Sequence, residues 1–169
     1  MATLAESPAR KNPLAPDTYE RVLSAGAVVL LIAVAAAVFK GRADWPAVPL
    51  NIWGHLLTIL VAVALTPVML LRPRGTTSHR QLGWVWASAM FLTALISLFV
   101  RNANHGGFSI IHVLSFWTLI QVPLIVWSAR THNLKRHRSS VRAMVTGALL
   151  IAGFFTFPFN RLLGHWLFS

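Results

Sequence analysis

The stretch IWGHLLTILVAVALTPVMLL, residues 52–71, decides how this chain is read, because it runs without a single charged side chain. An apolar segment of about 20 residues matches the roughly 30 Å of hydrocarbon in a bilayer. A soluble amphipathic helix would instead space its apolar residues as a stripe along one face. Pro67 near its end is tolerable in a membrane helix, where neighbouring helices satisfy the freed carbonyl.

Four further runs of the same kind flank it. They cover Val22–Phe39, Leu82–Val100, Phe108–Ser128 and Val141–Trp166. The breaks between them carry helix-stopping residues: Pro73 and Gly75 in the segment 72–80, and Gly106-Gly107 ahead of the fourth run. Of 169 residues, 56% are hydrophobic and only 11% charged. That composition suits a lipid-facing protein and lacks the roughly one-quarter charged residues that cover a soluble domain. The expected fold is therefore all-α, an integral membrane protein of five transmembrane helices. Spans two to five form a four-helix core and span one packs outside. Residues 1–20, with Pro8, Pro13 and Pro16, read as a flexible cytoplasmic tail, and residues 21–169 as one transmembrane domain.

Charge sets the orientation. With five spans, the tail and the loops after spans two and four share one side, and eleven Lys and Arg fall there against four on the other. The positive-inside bias places the N-terminus in the cytoplasm and the C-terminus on the outer side of the membrane. The net charge of +11 is explained by anionic headgroups rather than by nucleic acid, which is not expected as a partner. Most of the seven tryptophans lie near span ends, as an interfacial aromatic belt would place them.

The acids are Glu6, Asp17, Glu20 and Asp44, so no carboxylate occurs after residue 44, and there is no cysteine. Carboxylate-bridged di-iron centres, paired-carboxylate hydrolysis and Asp-supported triads lack their groups here. Thiolate chemistry and iron–sulfur clusters are excluded.

Histidines remain. On the five-span topology His55 and His112 lie one turn inside the outer ends of spans two and four, while His79 and His137 open spans three and five from the inside. One pair toward each leaflet can hold two stacked haems b through axial imidazoles. Arg80, Arg138, Arg142 and Arg161 are available to the propionates, without competing acids. Such a protein is a candidate transmembrane electron carrier fed by a quinol or a small reductant. A second arrangement uses His55, His112 and His165 as three imidazoles for a divalent metal. Arg161 and His165, four residues apart on the last span, also suit an anionic group. The alternative is a non-catalytic subunit of a larger membrane complex, with interfacial histidines.

The paired histidines on spans two to five resemble the transmembrane di-haem b-type cytochromes, which pass electrons from ascorbate-like donors to ferric acceptors. His55-Leu56, His79-Arg80-Gln81-Leu82-Gly83 and His137-Arg138 also resemble the motifs of a family of small bacterial multi-pass membrane proteins. That family is known only as a domain of unknown function. The resemblance covers about residues 50–166 and implies a fold without a chemistry. His137-Arg138 departs from the family pattern in being followed by Ser139-Ser140, where an aromatic residue and Met are expected.

Overall fold

The computed structural model describes residues 14–100, 110–158 and 161–169. The elements are helices: α1 Thr18–Lys40, extended by a 3-10 segment Gly41–Ala47; α2 Leu50–Leu71; α3 Thr77–Ser97; α4 Ile110–Arg130; α5 Leu134–Met144; and α6 Leu162–Phe168. α5 runs on through a π-helical segment Val145–Ile151 and a last turn Ala152–Phe154. No strand occurs among the described residues.

Local chemistry starts the helices at one end of the bundle. Asp17 and Glu20 form a capping box on α1, each side chain accepting the other's backbone N–H at 3.1 Å. Thr76 Oγ1 accepts from the His79 amide at 3.2 Å, and Asn133 Oδ1 from the Arg136 amide at 3.1 Å, opening α3 and α5. These caps orient the first turns, which carry His79 and His137.

The helices pack as a closed ring, α1 on α2, α2 on α3, α3 on α4, α4 on α5, with the π-helical segment returning to α1. One buried cluster draws on all five, through Leu23, Val63, Met90, Ile125 and Leu149. The expectation that span one stands outside a four-helix core is therefore corrected. α1 is apolar on all sides, and its small residues Ala27 and Ala37 are buried against its neighbours.

Among the described residues three segments are long and apolar enough to cross a membrane, Thr18–Ala47, Leu50–Leu71 and His112–Arg130, where five were expected. α3 falls short because it opens on Thr-Ser-His-Arg-Gln and carries Ser88, Thr93 and Ser97. α5 is LKRHRSSVRAM, about three charged, amphipathic turns ahead of the more apolar continuation. The run to Trp166 is also not one helix. It breaks after Phe154, around Pro158, and resumes as α6 against α1.

Two tryptophans leave the expected aromatic belt for the interior. Trp86 is 5% exposed and donates to Thr66 Oγ1 at 3.0 Å. Trp166 is 2% exposed, donates to Asp44 Oδ2 at 2.9 Å and lies 6.4 Å from the Trp53 ring. Lys40 Nζ donates to the Leu167 carbonyl at 2.6 Å, so α6 is fastened to the far end of α1.

Candidate functional site: paired histidines at the basic end

The starts of α1, α3 and α5 and the ends of α2 and α4 enclose a cavity of about 700 Å³. Its apolar wall includes Met69, Trp86, Ile125 and Val145, and its polar rim includes Arg74, Arg80, Arg130 and Arg138. His132, in the turn before α5, has φ 55°, which is uncommon for a residue with a Cβ and reverses the chain sharply between α4 and α5.

His79 and His137 meet at this cavity, their ring centres 6.5 Å apart and their planes at 75°. His137 Nδ1 lies 3.1 Å from the Ile125 carbonyl, a contact that selects the Nδ1–H tautomer and leaves Nε2 to act as a lone-pair donor. His79 Nδ1 is buried without a hydrogen-bond partner among the described residues. Both residues lie outside the apolar membrane segments, and both have pKa values lowered from the ordinary 6.5. Burial is the main cause for each. For His79 repulsion from His137, Arg74 and Arg72 adds to it; for His137 the Ile125 carbonyl opposes it and Arg74 adds to it. Both are thus neutral near pH 7, the state in which imidazole ligates a metal.

Beside the histidines stands a group that sequence reasoning missed. Glu20 is 1% exposed and faces three arginines. Arg74 Nη2 lies 2.5 Å from Oε1, and Arg138 grips both oxygens at 2.8 Å through Nε and Nη2. Arg142 Nε donates to Oε1 at 3.2 Å and its Nη2 also bonds Asp17. Arg74 and Arg138 reach on to backbone carbonyls, Arg74 Nη1 to Leu14 at 2.8 Å and Arg138 Nη2 to Ala15 at 3.2 Å. Residues 14–20 are therefore built into the bundle rather than belonging to a tail. The arginines Arg138 and Arg142 are likewise not without competing acids. Burial works against the Asp17 carboxylate, but the Glu20 amide and Arg142 outweigh it and lower its pKa. The available signal was Asp17-x-x-Glu20 itself, a capping box on the side where most arginines lie.

The other proposed residues lie toward the opposite end. His55 Nδ1 is 3.2 Å from the Thr93 carbonyl, beside a hydroxyl pair in which Thr93 donates to Thr58 at 2.8 Å. His112 is buried on α4, 3% exposed, one turn from Ser115, which donates to Ser97 Oγ at 2.9 Å. Arg161 occupies the cap position of α6 and His165 is exposed on it. Among the described residues no three His, Asp or Glu side chains form a metal-binding group, so His55, His112 and His165 are not assembled as one. His105 lies outside the described residues. No family model, curated protein or solved structure matches this chain, which leaves the chemistry of the site to be argued from its own side chains.

Proposed function

We propose that this chain is a b-type haem protein of the bacterial inner membrane, with His79 and His137 as one axial pair. The observation that carries the reading is the facing of these two imidazoles across the cavity. Imidazole nitrogens sit about 2 Å from a bound metal, so two rings sharing one ion have centres about 6 Å apart, against the 6.5 Å here. The buried, unpartnered Nδ1 of His79 and the carbonyl-held His137 add to the fit, as does a cavity of about 700 Å³ with an apolar wall. Arg80 at the rim is a counter-charge for a propionate, while Arg74 and Arg138 are already held by Glu20. Bound haem supplies one-electron chemistry; the chain supplies ligands, counter-charges and a low dielectric around them.

In this reading all five long helices cross the membrane with the N-terminus cytoplasmic. α3 is flanked by α2 and α4, and the apolar part of α5 runs from Val141 through its continuation to Phe154, beyond the charged turns that carry His137. His55 and His112 hold a second haem toward the outer leaflet, with His55 oriented by the Thr93 carbonyl. Arg161 belongs to that end. Electrons enter from a quinol or a small reductant, as the likeness to di-haem b-type cytochromes suggests.

The test is the visible spectrum of detergent-purified protein, oxidised and reduced, with pyridine extraction of haem. The expected result is a Soret band with reducible α and β bands, about half the haem lost in His79→Ala or His137→Ala, and the complementary half lost in His55→Ala. A colourless wild-type protein that takes up no added haem overturns the proposal and favours a structural subunit instead.

A further inference from the structure

A second concavity lies on the outside of the bundle, between α3 and α4. It has a volume of about 580 Å³, is walled by Trp84, Phe91, Leu92, Pro123, Val126 and Trp127, and has the small side chains Ala87 and Ser88 in its floor. From Trp84 to Leu92 it follows two turns of α3, about 12 Å. Trp84 and Trp127 are 54% and 52% exposed, so the groove opens away from the bundle, onto lipid in a membrane protein.

Its polar end is closed by guanidinium groups. Arg130 lines the groove and lies 5.9 Å over the Trp84 ring; Arg136 lies 5.1 Å over the Trp127 ring. Stacking on indole holds both cations in place without neutralising them. Every ion pair among the described residues is made by Arg74, Arg138 and Arg142 with Asp17 and Glu20, so neither Arg130 nor Arg136 pairs with a carboxylate among them. The sequence after Asp44 contains no acid to provide one.

We propose that this groove binds an anionic phospholipid of the leaflet at the basic end, an acyl chain along α3 and the phosphate between Arg130 and Arg136. The apolar length calls for a hydrocarbon chain, and the two uncompensated guanidiniums at one end call for a phosphate rather than a neutral head. Pre-positioned cations lower the ordering cost of binding. The site needs the membrane but not the haem.

The experiment is native mass spectrometry of the full-length protein released from detergent, titrated with phosphatidylglycerol, phosphatidylcholine, inorganic phosphate or a short-chain quinone. The expected result is one retained phosphatidylglycerol, about tenfold preferred over phosphatidylcholine and not displaced by millimolar phosphate or by the quinone. Arg130→Gln/Arg136→Gln should keep its helical circular dichroism and lose that preference, and Ser88→Trp, which fills the groove, should lose both lipids. Equal retention of the two lipids, an unchanged preference in the double variant, or displacement by phosphate or quinone each overturns the proposal. Because the readout is the mass of bound lipid, a failure here is separate from an absence of haem.

Discussion

Replacing Glu20 by Gln keeps the size of the side chain and an oxygen able to accept from the Asp17 amide, so the helix cap survives while the charge is removed. The effect then depends on which arginine is stranded. Arg138 and Arg142 have side chains 20% and 26% exposed and retain Asp17, so water and a second carboxylate compensate them. Arg74 has a side chain only 6% exposed, and Glu20 is its one anionic partner among the described residues. Breaking a buried pair from one side costs about 3–5 kcal/mol. The Leu14 and Ala15 carbonyls still accept from Arg74, which puts the expected loss near the lower end, about 3 kcal/mol. At roughly 2–4 °C per kcal/mol for a chain of this size, the midpoint should fall by about 6–12 °C. The assay is thermal unfolding in a fixed detergent, followed by tryptophan fluorescence. Glu20→Gln/Arg74→Gln should recover most of the loss, since no buried charge is left over. Asp17→Asn, altering a half-exposed acid, should cost under about 1 kcal/mol. A midpoint for Glu20→Gln within 1 °C of the wild type, or a double variant as unstable as the sum of its singles, would refute the reasoning.

Three further outcomes are expected. A Cβ on Gly164 would sit 1.7 Å from the Phe157 carbonyl oxygen, and a backbone atom cannot step aside. Gly164→Ala should therefore loosen α6 at a cost of about 1–3 kcal/mol, read as a red-shifted Trp166 emission, whereas Gly147→Ala, with nothing within 4 Å, should be neutral or stabilising. His79 and His137 have pKa values below the unfolded 6.5, so the unfolded chain takes up protons that the folded chain resists. Stability should be full above about pH 7.5 and fall as the pH drops through 6.5 and below, and His137→Gln should flatten that slope between pH 7.5 and 5. Trp86→Phe removes the 3.0 Å bond to Thr66, whose hydroxyl still donates to the Ala62 carbonyl, and should cost about 1–2 kcal/mol in the same unfolding assay.

The helical architecture was legible because apolar run length is a strong signal: residues 52–71 predict a helix and Leu50–Leu71 is one. Burial order was not. α1 looks like a peripheral anchor since it carries no histidine and no charge beyond Arg21 until Lys40, yet the ring closes only through it. An all-apolar helix has no periodicity to reveal which neighbours it meets. Run length also overstates α5, where Leu162–Phe168 looks continuous with the helix before it although the chain turns around Pro158. At the site, the meeting of His79 and His137 followed from topology alone, because both open helices at the same end. Glu20 escaped notice because three arginines converge on it from residues 74, 138 and 142, a contact between segments that no local pattern records.

That convergence fixes a cation beside the two imidazoles and so helps to keep them neutral. Arg74 lies close enough to lower the pKa of both histidines, and it is held there by Glu20 and by the Leu14 and Ala15 carbonyls. Its charge is offset by the carboxylate, so the cavity carries a fixed ion pair on one side and, on its rim, Arg80, which has no ion pair among the described residues. Removing the carboxylate without moving Arg74 exposes both rings to a bare cation and should lower their titration further. In Glu20→Gln the acid-side loss should thus still begin near pH 6.5 but run on to lower pH and grow larger, as the whole curve drops. A purely structural ion pair, remote from the histidines, would drop the curve and leave its slope between pH 7.5 and 5 unchanged.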